Sequence, residues 1–158
     1  MAVDYFLKID GIEGESEDEK HGGQIDVESW SWGATQAGTM AAGGGGGAGK
    51  VNMQDFHFTM KVNKASPKLM LSCAQGKHIP SVTFVARKAG EKQQEFMTYK
   101  LSDVLISSYQ TGAAGEIPTD QVSLNFAKIE FEYQTQDKSG KVGKPVIVGY
   151  DVKKNVKV

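Results

Sequence analysis

Alternation with a period of two runs through most of this chain. Between Val3 and Ile9, the residues Val3, Tyr5, Leu7 and Ile9 share one face, while Asp4 and Lys8 turn the other way. Between Asp55 and Val62, Phe56, Phe58, Met60 and Val62 alternate with Asp55, His57, Thr59 and Lys61. Successive side chains of a strand point to opposite faces, so each pattern predicts a half-buried strand. The same reading gives strands over Gln24–Trp32, Ser81–Lys88, Gln94–Leu101, Val104–Gln110, Gln121–Gln134 and Val146–Asp151, with Ala89-Gly90-Glu91 as a hairpin turn.

Two of these strands change phase. Val122, Leu124 and Phe126 give way to Ile129, Phe131 and Tyr133, and Ile25 and Val27 give way to Trp30 and Trp32. A face flips when a residue is inserted, which places bulges near Ala127 and near Glu28–Ser29. Bulged, bent strands are how a sheet curls over itself. One segment has the period of a helix instead. Ser66 is placed to cap it and Pro67 to take its first position, Leu69, Met70, Cys73 and Ala74 form its apolar stripe, and Gly76 closes it. Many strands and one helix predict an all-β domain, a barrel or a compact sandwich, with the helix covering an open end or edge.

The run Gly43–Gly49 is the only low-complexity stretch, and its neighbours from Gly33 are small as well. Together they predict a long glycine-rich arm over about 33–50, able to order against something else. Nothing in composition or periodicity divides the chain, so residues 1–158 are expected to form a single domain.

Charge changes this picture little. With 18 basic and 19 acidic side chains the net charge is −1, which gives no global field to draw in nucleic acid or an anionic membrane. A single cysteine, Cys73, rules out an internal disulfide framework. Asp4 and Lys8 interrupt the apolar residues of the start, and acidic residues follow, unlike a Sec-type signal peptide. No stretch approaches the ~18 apolar residues of a membrane-spanning helix, so no membrane insertion is expected.

Candidate chemistry is sparse. Gly44-Gly45-Gly46-Gly47-Ala48-Gly49-Lys50 matches a phosphate-binding loop for seven positions, but Val51 stands where a magnesium-binding hydroxyl is needed, and a strand pattern follows where a helix should start. His21, His57 and His78 are scattered, and with Cys73 they make no zinc spacing. The acidic residues Glu13, Glu15, Glu17, Asp18 and Glu19 lack the ligand pattern of a calcium loop and read as a solvated connection. No catalytic, cofactor-binding or metal-binding residue is therefore assigned. Trp30 and Trp32 share a strand face, either filling the core or anchoring a neighbouring subunit. Two rival functions remain defined by test: a small-ligand barrel with an apolar cavity, and a nucleotide hydrolase using Lys50.

A series of segments, in order along the chain, resembles one family. They are Ala2-Val3-Asp4-Tyr5-Phe6-Leu7-Lys8-Ile9, Gly14-Glu15-Ser16 with Asp18 and His21, Ile25-Asp26-Val27 running into Trp30-Ser31-Trp32-Gly33, the arm Gly43–Lys50, Ser66-Pro67-Lys68-Leu69, Gly76-Lys77-His78 and Ser123-Leu124-Asn125-Phe126-Ala127. Together they resemble the haemolysin-coregulated protein (Hcp) family, the tube protein of type VI secretion. The resemblance implies a two-sheet β-barrel flanked by one α-helix, a non-enzymatic subunit of the inner tube that assembles as a homohexameric ring. Rings stack into a hollow tube, enclosed by a contractile sheath and tipped by a VgrG-type spike protein. Contraction expels the tube, and protein effectors can travel in its lumen. It implies a cytoplasmic origin in the producing bacterium and export without a cleaved signal peptide. Within it, Gly43, Gly44, Gly45, Gly46, Gly47, Ala48, Gly49 and Lys50 would reach neighbouring subunits or the next ring. The small polar Ser31, Ser107 and Ser108 would suit a water-filled lumen.

Overall fold

In the computed structural model, which describes residues 2–38, 50–89, 93–136 and 142–158, the alternating segments are strands as expected. They are β1 (Val3–Ile9), β2 (Ile25–Asp26), β3 (Ser29–Ser31), β4 (Ala34–Thr35), β5 (Asn52–Met53), β6 (Phe56–Lys61), β7 (His78–Lys88), β8 (Gln94–Gly112), β9 (Thr119–Gln136), β10 (Val142–Asp151) and β11 (Val156–Lys157), with α1 (Ala65–Gln75) between β6 and β7. The all-β class with one helix holds. Gly90 and Glu91 of the expected hairpin turn lie outside the described residues, but the strands on either side pair antiparallel, Lys88 opposite Gln94.

The two expected sheets are parts of one hydrogen-bonded system in the order β11-β10-β9-β8-β7-β1-β2, with β6 joined to β9 and β3 to β6. The long strands β8 and β9 run through both layers. Residues 119–124 of β9 pair with β6, and residues 128–136 pair with β10. The ladder is not an unbroken ring. Its circuit is bridged by the bent segment Ile25–Ser31, which donates from Val27 N–H to Tyr5 at 3.0 Å and from Glu28 N–H to Thr59 at 2.9 Å.

The phase changes mark the corners, with one correction. The phase slips at Glu28–Ser29 as expected, where two successive residues are both exposed between buried Val27 and the inward Trp30. At Ala127 the inward face does flip, but no residue is inserted against β8, since Ser102 pairs with Lys128 and Val104 with Phe126 in the same register. Both strands turn together instead. Asp103, opposite Ala127, has φ 53°, a left-handed conformation that aspartate tolerates better than most residues. The register shifts between these strands at Ile106/Ser108, which the alternation did not show.

Helix α1 starts two residues early, at Ala65 rather than Pro67. Lys64 is its N-cap and gives no side-chain cap. Asn63 serves instead, its Oδ1 accepting from Ala65 N–H at 2.8 Å, while Ser66 turns inward. Ala65, Ser66, Leu69 and Ser72 are buried, so Met70 and Ala74, expected in the apolar stripe, face outward, and Cys73 is half-buried. The spacing 65, 69, 72 follows the helix turn. Gly76 closes the helix at φ 61°, as expected.

Candidate assembly surfaces

On β3 alternation turns Trp30 inward and Ser29 and Ser31 outward. Trp30 lies with its ring centroid 5.0 Å from Phe84, 5.6 Å from Tyr99 and 6.0 Å from Phe56. Trp32 meets the same Tyr99 edge-on at 5.6 Å. Both tryptophans therefore occupy one face and pack on the core, each still half-exposed. Aromatic pairs of this geometry contribute ~0.5–1.5 kcal/mol beyond their buried area. Burial among them pushes the Tyr99 hydroxyl up from its ordinary pKa.

The outward face of β3, β6, β9 and β8 is different in kind. A shallow groove of about 630 Å³ runs across it, lined by Ser31, His57, Ser108, Gln110, Gln121 and Ser123 among others. His57 Nδ1 and Ser123 Oγ are 2.6 Å apart, as are Ser29 Oγ and Thr59 Oγ1. The bulge sets Ser107 and Ser108 side by side. Ser108 enters the groove, and Ser107 donates to Asp55 at 2.6 Å, where Asn125 Nδ2 also donates at 2.9 Å. Most side chains here are neutral hydroxyls and amides. No carboxylate orients the His57 imidazole among the described residues, as a serine–histidine nucleophile requires, and no group of three metal-ligating side chains occurs among them.

The foot of the arm is a two-stranded ribbon. Ala34 pairs with Met53 and Thr35 with Asn52, and Gln54 N–H donates to Gly33 at 2.8 Å. Lys50 is exposed, while Gly43, Gly44, Gly45, Gly46, Gly47, Ala48 and Gly49 lie outside the described residues. The strands β5 and β6 follow Lys50, so the helix N-terminus that a phosphate loop depends on is missing from Asn52–Lys61.

The acidic connection is less solvated than its composition implies. Asp18 accepts from Arg87 at 2.6 and 3.0 Å, and Asp4 accepts from the same guanidinium at 3.2 Å. The Arg87 side chain is only 2% exposed and lies 4.8 Å over the Phe6 ring. His21 stacks on Phe6 at 4.4 Å and holds Glu95 at 2.8 Å and Gln24 at 3.0 Å. The Arg87 guanidinium keeps the Asp18 carboxyl well below the usual carboxylate range, and the Arg87 pKa is raised in return. Sequence reasoning missed this anchor. Its one signal was that Arg87, the chain's sole arginine, interrupts the apolar strand from Val82 to Ala86.

At the far end of the sheet the core face is left open. Cross-strand partners share a face, so three rows can be followed outward. Leu101, Ile129 and Tyr150 form the innermost, Tyr99, Phe131 and Val148 the next, and Met97, Tyr133 and Val146 the last. Leu101 is fully buried, whereas Val148 is 54%, Tyr133 45% and Val146 59% exposed. Ile147, on the opposite face, is exposed too.

The family model described as "Type VI secretion system effector, Hcp" matches residues 6–133. The Pseudomonas aeruginosa protein Hcp1 is 48% identical over 160 residues, covering 99% of both chains. The crystal structure of Hcp1 from Salmonella typhimurium superposes with a TM-score of 0.83 at 34% identity, covering 100% of both chains. A structure described as a type six secretion system protein reaches a TM-score of 0.94 at 31% identity, covering 99% of this chain and 100% of its own.

Proposed function

This chain belongs to the Hcp family of type VI secretion proteins, and we propose that it is the subunit of the secretion tube, assembling as hexameric rings that stack. The observation that carries the reading is the open end of the sheet. Val146, Val148 and Tyr133 continue the core face without a cover. Burying the remaining half of each valine stabilises by about 1 kcal/mol, so a partner on this face gains what the single chain forgoes.

Other features support the same role. The groove of neutral hydroxyls and amides suits the wall of a water-filled lumen, with Ser31 and Ser108 on that wall, Ser107 beside them and protein effectors as passing cargo. Trp30 and Trp32 hold the wall rigid from behind. The arm through Gly43–Lys50 reaches a neighbouring subunit or the next ring. A contractile sheath surrounds the tube and a spike protein tips it. The subunit works by assembly, without catalysis, made in the cytoplasm and expelled with the tube without a cleaved signal peptide.

Electron microscopy of the purified chain, with light scattering on the same sample, tests this. Rings of six times the single-chain mass are expected. A persistent monomer at high concentration in several buffers would overturn the reading.

A further inference from the structure

The open end of the sheet has a counterpart on the same chain. In the order β11-β10-β9-β8-β7-β1-β2, the two ends of one path carry opposite charge. At the β11 end, Lys153, Lys154 and Lys157 are exposed beside the uncovered β10. At the β2 end, the connection after β1 is extended and alternates. Ile12, Gly14 and Ser16 are buried, while Glu13, Glu15, Glu17 and Glu19 face solvent. Gly14 N–H and Ser16 N–H donate inward to Gly23 and Gln24 at 2.8 and 2.9 Å, and the Arg87–Asp18 anchor fixes the rest. The row of carboxylates is thus held in place and turned outward. Lys64 Nζ, 3.5 Å from Glu13, and the exposed Lys20 offset only part of its charge.

The edge of β10 is itself unfinished. Gly149 accepts from Val158 N–H at 3.1 Å, so its backbone points away from β9. Ile147, two residues earlier, presents its N–H and C=O to the same side. Pro145, two before that, has no N–H to offer there, the usual place of a proline on an edge strand.

We propose that the β9–β10–β11 end of one subunit docks on the β1–β2 end of the next copy, with the lysines of 153–157 facing the carboxylates of 13–19. This rests on the ring reading above and specifies which surfaces meet. A second copy is the occupant because the complementary charges stand on one chain, at different ends of one sheet. Such a contact is heterologous, and repeated with a fixed rotation it closes a ring. Charge matching selects the partner and register, and β10 is carried into the same interface by its pairing with β11.

A charge exchange on the full chain tests it. One variant carries Lys153→Glu, Lys154→Glu and Lys157→Glu. The other carries Glu13→Lys, Glu17→Lys and Glu19→Lys, sparing Glu15, whose carboxylate accepts from Lys64 N–H at 2.9 Å. Circular dichroism and thermal melting check that both remain folded. Each variant alone should associate roughly tenfold or more weakly, as three exposed charge pairs turned repulsive imply. Mixed in equal amounts they should rebuild rings, because every contact then pairs opposite charges again. Wild-type rings with variants that assemble unchanged, or that fail to recover on mixing, would overturn this docking and leave the ring reading standing. A wild-type chain that never leaves the monomer would overturn both.

Discussion

Strands β8 and β9 pass through two regions built on one ladder yet finished differently. In the closed region Phe56, Phe84, Leu101 and Leu124 are fully buried, and Trp30, Tyr99 and Phe84 lock together. A few residues along the same strands, the apolar alternation persists while its cover stops, and Val146 and Val148 stand open. The first region is a core that one chain completes alone. The second keeps the pattern of a core without its cover, where we propose that the next copy docks. Alternation in sequence therefore reports which residues will be covered, without saying by whom.

Breaking the closed region should cost most. Phe84→Ala removes a ring in contact with Tyr5, Trp30, Phe56 and Tyr99, and should lower unfolding stability by about 3–5 kcal/mol in a urea titration. Assembly should fail with it. Arg87→Met should cost about 2–4 kcal/mol, since it leaves Asp18 and Asp4 without their counter-charge. The acidic connection should then become the first part of the chain cut by limited proteolysis.

The open region should answer in the opposite way. Val146→Ser with Val148→Ser should change the stability of the dissociated chain by less than about 1 kcal/mol, because both side chains are already mostly in water. Association, followed by sedimentation, should nonetheless weaken tenfold or more. Equal losses in stability and association would erase the distinction between the regions.

The smallest effect is one of pH. Asp18 has its carboxyl pKa depressed by Arg87, so its contribution is fully present above the unfolded value of ~3.9 and is lost as pH falls toward the folded value. Asp26 has the opposite sign, its pKa raised chiefly by burial, so protonation there stabilises the fold as pH falls. The measured loss below pH ~4 should be shallow in the wild type, and the part due to Asp18 should vanish in Arg87→Met.

Strands and helix were legible because alternation and helical spacing are local. Val3–Ile9 matched its strand end to end, and Gly76 closed the helix as read. What failed to show were features made by contact between distant segments. The bulge at Ser107 depends on β9, the inward turn of Ser66 on Asp120, to which it donates at 2.5 Å, and the burial of Arg87 on a loop far away in sequence. Ser31 and Ser108 could be singled out as small and polar, but their meeting in one groove with His57 and Ser123 required the fold.

Hydrogen exchange on the intact chain, in concentrated and in dissociating dilute solution, addresses the central claim directly. The amides of Ile147 and Gly149, which point away from β9, should be protected in the concentrated sample and lose protection on dilution, while those around Phe84 stay unchanged. Exchange at β10 that is fast at every concentration, in a sample that forms rings, would mean that neighbouring copies leave this end of the sheet bare.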